Sequence, residues 1–145
     1  MSSDASKDAL ISALNAQLSA EYQAVIQYIQ YSAVVSGPYR PELVRFFQAE
    51  VPDEQAHAQY LANAVANLGG TPTTQALPVP AATDPRQMLE NVQEAEAQAV
   101  TAYTSLVGLA DEAGETGIRL QLEDFIGDES NHRNETRRML QGHWA

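Results

Sequence analysis

The chain carries the same pattern twice at a fixed distance, and this constrains its fold more than any other feature. Asp53-Glu54 and His57 recur as Asp128-Glu129 and His132. Ala20-Glu21-Tyr22-Gln23-Ala24-Val25 matches Ala95-Glu96-Ala97-Gln98-Ala99-Val100, and Tyr28 matches Tyr103. Every pair is offset by 75 residues. Such self-similarity marks two copies of one structural unit. Whatever the fold, it has to give each unit a segment bearing Glu and Tyr, followed by a segment bearing Glu-x-x-His.

The segments read as helices. Ala, Gln, Glu and Leu are abundant and β-branched runs are short, which favours an all-α chain. Ser3 or Asp4 can cap a first helix that runs to about Val35, where Ser36-Gly37-Pro38 stops it. Pro41 suits a first helical turn, and a second helix runs from there to Leu68, before Gly69-Gly70. Asp84-Pro85 opens a third helix ending at Ala113, before Gly114. The fourth runs from near Thr116 to about Leu140. Helices of roughly 25–30 residues span on the order of 40 Å, the length of bundle rods. Gly37 to Arg40 and the Gly114 turn are short links, so each joins antiparallel neighbours. The link from Gly69 to Thr83 is long, contains Pro72, Pro78 and Pro80, and can run the length of the bundle as a crossover. Residues 1–145 are enough for one domain with one core and too short for two.

Composition removes several function classes. There is no Cys, so disulfides, thiolate metal sites, iron–sulfur clusters and thiol catalysis are excluded. The net charge of −11, from 19 acidic and 8 basic residues, would repel nucleic acid. Only Arg133, Arg137 and Arg138 come close together. The charge otherwise reads as a solvated surface that can draw in cations. No apolar stretch approaches a membrane span, and the N-terminus lacks the basic start and apolar run of a signal peptide. A soluble, cytoplasmic protein is the expectation.

The repeated residues are those a metal site needs. Residues three apart on a helix share a face, so Glu54 with His57, and Glu129 with His132, can each put a carboxylate and an imidazole on one metal ion. Glu21 and Glu96 add one carboxylate each from the first and third helices. Together they make four carboxylates and two imidazoles, a mostly hard O/N set suited to iron or manganese. Zinc could bind but would do no redox chemistry. Asp53 and Asp128 precede the two motifs and are candidates to accept the outer N–H of a metal-bound His, each reaching across to the opposite one. Tyr28 and Tyr103 lie two turns beyond Glu21 and Glu96 on the same faces. They read equally as large core residues whose hydroxyls need partners and as participants in electron or proton transfer. Glu50 lies one turn before Glu54, but its repeat partner is Phe125. It reads as solvated surface, with a way station for entering iron as the alternative. Pro52 and Gly127, both weak in a helix interior, occupy matched positions and either aim the ligands through a local kink or are simply tolerated. His143, near the C-terminus, reads as a surface residue.

Glu21, Glu54-x-x-His57, Glu96 and Glu129-x-x-His132 resemble the di-iron site of bacterioferritins and of the rubrerythrin helical domain, and Leu68-Gly69-Gly70-Thr71-Pro72 is similar to the turn after their second helix. The resemblance runs from about residue 8 to 140. It implies a ferritin-like four-helix bundle with one long crossover between helices 2 and 3 and two pseudo-symmetric hairpins. It also implies two iron ions per chain, with manganese as the alternative metal, and a homo-oligomer that is a dimer at least. Bacterioferritins that bind haem use a Met directly after the second-helix Glu. That position is Gln55 here, so no haem is expected. Only thirteen residues follow His132, which argues against the short fifth helix of cage-forming relatives and so against a 24-subunit shell. The extra third-helix Glu of rubrerythrins is Ala99 here, and their Cys-rich iron domain has no counterpart.

The function expected on these grounds is a ferroxidase that couples Fe(II) oxidation to reduction of oxygen or hydrogen peroxide, for iron storage or detoxification. In that reading Glu54 and Glu129 bridge the metals, Glu21 with His57 completes one, and Glu96 with His132 completes the other. The alternative is a di-metal oxidase or peroxidase acting on peroxide or an organic substrate with a reductase partner. A metal-free interaction module ranks last, because it would leave four Glu facing one another in a core.

Overall fold

The computed structural model describes residues 4–142. Four helices make up most of it: α1 (Asp4–Val34), α2 (Arg40–Asn67), α3 (Pro85–Glu112) and α4 (Thr116–Leu140). No strand occurs among the described residues. Asp84 caps α3, its carboxylate accepting from the Gln87 amide at 3.2 Å, and Pro85 occupies the first turn. Arg40 and Pro41 open α2. Ser3 and His143 lie outside the described residues.

Gly69 has φ +91°, a left-handed conformation open to glycine at little cost. There the Gly69 and Gly70 amides fold back onto the Ala66 and Val65 carbonyls at 3.0 and 2.9 Å, closing the end of α2. The chain then leaves α2 as an extended crossover. Asn15 bonds to Thr71 and Thr73, Ser19 to Leu77, Gln23 to Pro78 and Tyr31 to Pro80, in that order along α1. The crossover therefore runs parallel to α1 and delivers the chain to the far end of the bundle. As a result α3 starts beside the C-terminal end of α1 and runs antiparallel to it.

α1 packs chiefly on α2, α3 chiefly on α4, and α1 also meets α3. Two apolar clusters fill the ends. One gathers Leu10, Leu14, Leu18, Leu61, Leu106 and Leu122; the other Tyr31, Leu43, Phe47, Met88, Leu89 and Val92. The middle of the bundle between them is polar, and Glu21, Glu54, Glu96 and Glu129 are buried there.

Candidate metal centre

Each helix contributes near its midpoint. Glu21, Glu54, His57, Glu96 and Glu129 are all at most 4% exposed. Carboxylates so far from water are stable only with a proton, a hydrogen-bond partner or a cation. Glu21, Glu54, His57 and Glu129 converge so that one ligand atom from each lies within 4.8 Å of all the others. Nδ1 of His57 stands 3.2 Å from Glu129, 3.8 Å from Glu54 and 3.9 Å from Glu21. A second group forms from Glu50, Glu54 and His132. There Nδ1 of His132 stands 3.0 Å from Glu50, 3.6 Å from Glu54 and 4.0 Å from Glu129.

The outer nitrogens face the other way. Nε2 of His57 lies 3.3 Å from Asp128, and Nε2 of His132 lies 3.6 Å from Asp53. Each Asp reaches across from the opposite helix, as its place before the motif suggested. With each Nε2 turned toward an Asp, each Nδ1 faces the carboxylates. Two tyrosines brace the other pair of helices in the same crossed fashion. Tyr103 on α3 donates to Glu21 on α1 at 2.7 Å, and Tyr28 on α1 donates to Glu96 on α3 at 3.4 Å. Gln17 adds a second donor to Glu21 at 3.0 Å.

Burial and crowding displace the proton equilibria. Burial, reinforced by Glu21 and Glu129, pushes Glu54 well above the usual carboxylate range. Burial pushes Glu96 up to about 8, against the pull of the Thr136 and Tyr28 hydroxyls and with the push of Glu129 and Glu50. It pushes Glu50 up to about 7, with His132 pulling the other way. Burial alone would lower His57, but Glu129, Glu21 and Asp128 outweigh it and hold the imidazole up at about 9. Tyr28 and Tyr103 are raised well above the phenol range by burial and then by Glu96 and Glu21 respectively.

The residues present fit a pair of metal ions. Glu21 Oε2, Glu50 Oε2, Glu54 Oε1, Glu96 Oε1, Glu129 Oε1 and both His Nδ1 atoms are buried without a hydrogen-bond partner. Native proteins seldom leave such atoms unsatisfied unless an ion or water completes them. The donors are carboxylate oxygens with one imidazole at each position, the chemistry of iron or manganese.

The reading of Glu50 as solvated surface is corrected by the structure. Glu50 is 8% exposed and makes the shortest approach to His132. Its spacing from Glu54 carried the signal, but the lack of a symmetric partner argued against it. Glu96, by contrast, stands outside the two tight groups, turned toward Tyr28. A ring contact also escaped the sequence reading. Phe125 lies on the His57 imidazole, with centroids 4.1 Å apart.

A bundle with this crossover and this carboxylate-and-histidine middle defines the ferritin-like class. Residues 11–142 match the ferritin-like domain, and the chain belongs to that family. Among solved structures it is similar to a ferritin-like, diiron-carboxylate protein of Bacillus anthracis, with 42% identity over 97% of this chain and 100% of that one, and a TM-score of 0.93. The Mycobacterium tuberculosis bacterioferritin BfrA shares the fold at 23% identity, covering 97% of this chain and 87% of its own, with a TM-score of 0.86. The Dps of Thermosynechococcus elongatus does so at 18% identity, covering 96% and 94%, with a TM-score of 0.90. No curated protein matches the chain significantly.

Proposed function

We propose that this chain is a di-iron ferroxidase that takes Fe(II) as substrate and oxygen or hydrogen peroxide as oxidant. The observation that supports it is the set of unpartnered Nδ1 and carboxylate atoms converging from α1, α2 and α4, with Glu96 of α3 alongside. Two Fe(II) bound there supply one electron each to the oxidant. Glu54 and Glu129 would be shared by the two ions, Glu21 and His57 would hold one, and Glu96 and His132 the other. Asp128 and Asp53 fix the tautomers and orientations of the two His. Tyr103 and Tyr28 orient Glu21 and Glu96, and both are positioned to pass a proton or an electron. Protons held by Glu54 and Glu96 leave as cations bind. Manganese is the alternative metal.

Mixing two Fe(II) per chain with oxygen or peroxide should give a fast phase of Fe(III) absorbance. Glu54→Gln or Glu129→Gln keeps the size and removes an anion, and should abolish that phase, because two close cations need a shared anionic ligand. Wild type that binds the ions yet oxidises them no faster than buffer would reject ferroxidation.

One feature favours the second reading, oxidation of an organic substrate with a reductase partner. A cavity of about 400 Å³ lies between α1 and α3. Small residues such as Ala20, Ala24, Ala99 and Ala102 line it, and it reaches Glu21, Glu54, Glu96 and Glu129. If oxidation of Fe(II) fails, this cavity makes the second reading the one to test.

We further read the protein as a cytoplasmic homo-oligomer, a dimer at least. Ile26 and Ile29 on α1 are 48% and 53% exposed and line an apolar depression between α1 and α2 suited to a second copy. No described helix is long and apolar enough to cross a membrane. Gln55 lies exposed on the outer side of α2 in place of the Met that would ligate haem. Protein made with ample haem should therefore carry no Soret band through a sizing column, and a stoichiometric band would contradict this.

A further inference from the structure

The internal repeat supplies its own control, because a residue that breaks it at the centre breaks the equivalence of the two metal positions. Position 50 is Glu and its repeat partner, position 125, is Phe. Phe125 covers the His57 ring at 4.1 Å between centroids. Glu50 instead presents a carboxylate to His132, with Oε2 3.0 Å from Nδ1. Both of those atoms are buried and neither has a hydrogen-bond partner. With Asp53 beside Nε2 of His132, Nδ1 faces carboxylate oxygens of Glu50 and Glu54, an arrangement that a cation among them makes favourable. Glu50, Glu54 and His132 form one of the two tight groups. The His132 side chain is 15% exposed, whereas that of His57 is 3% exposed.

We infer that Glu50 is a seventh metal-binding side chain and that it makes the two positions unequal. The His132 position takes an extra carboxylate and its imidazole keeps contact with solvent; the His57 imidazole is covered by Phe125. The two positions therefore fill with different affinities, and Glu50 governs only the His132 one. This rests on the di-metal reading above.

Equilibrium titration with Mn(II), followed by the electron paramagnetic resonance of the free aqueous ion, tests it without turnover. Wild type should bind two ions in separable steps. Glu50→Gln keeps the shape of the side chain and should weaken one step by about tenfold or more while leaving the other unchanged. Glu50→Asp, which keeps the charge, should recover part of that loss. A double-mutant cycle locates the effect. In a His132→Ala background Glu50→Gln should do little more, and in a His57→Ala background its effect should persist in full. Circular dichroism and thermal melts of each metal-free variant establish that the fold is kept. A Glu50→Gln titration that superposes on the wild type, weakens both steps equally, or couples to His57 instead of His132 would overturn the role of Glu50 and leave the centre standing. A wild type that binds no ion would overturn the centre and this inference together.

Discussion

Glu96 and Glu50 keep protons in the folded, metal-free chain that they would release in the unfolded one. Their ordinary value is 4.5, and in the fold they stand at about 8 and about 7. Between those limits the folded chain holds more protons than the unfolded chain, so stability falls as pH rises through the window. His57, raised from 6.5 to about 9, acts in the same direction: its contribution is complete below 6.5 and is lost as pH rises through 9. The melting temperature of the chain in chelator should therefore drop steadily from about pH 5 to about pH 9. A rise over that range would contradict this account of the carboxylates. The two tyrosines separate by geometry. Tyr103 gives Glu21 a bond of 2.7 Å, while Tyr28 reaches Glu96 at 3.4 Å. Tyr103→Phe removes the shorter of the two bonds that Glu21 Oε1 accepts and should cost about 1–3 kcal/mol in denaturant unfolding, and Tyr28→Phe less. Equal losses would mean that the hydroxyls do not set these carboxylates.

The helices were largely legible in the sequence because their ends carry explicit chemistry. Asp84-Pro85, Pro41, Gly69 and Gly114 locate boundaries that fall within one residue of the expected ones, since caps and left-handed glycines act locally and need no knowledge of the fold. The convergence of Glu54 with His57 and of Glu129 with His132 was legible for the same reason: Glu-x-x-His shares a face on any helix. Glu50 was harder to read. Spacing puts it on the same face of α2 as Glu54 and His57, yet its burial depends on where α4 lies, and that is a tertiary fact. The same holds for Phe125 on His57. Pro52 and Gly127 were ambiguous, and α2 and α4 continue through both. A Cβ at Gly127 would meet nothing within 4 Å, so the glycine weakens α4 with no packing reason. Gly127→Ala should stabilise the chain by about 1 kcal/mol in denaturant unfolding. A loss of stability there would show that the backbone beside Asp128 needs the freedom of glycine.

At the scale of the whole molecule, the centre ties four helices together through charge as well as packing. Apolar clusters hold the two ends. The middle crowds carboxylates that repel one another unless protonated or bridged by cations. Metal binding therefore links proton release to stability. Thermal melts should rise on adding Fe(II) or Mn(II), and by more at neutral than at acidic pH, where protons compete for the same oxygens. Melts indifferent to both metals would favour a bundle without a metal role. The most direct test is elemental analysis after anaerobic loading with Fe(II). About two iron ions per wild-type chain are expected, with a sharp fall when His57 and His132 are both replaced by Ala. An unchanged iron content in the double variant would contradict the di-metal reading.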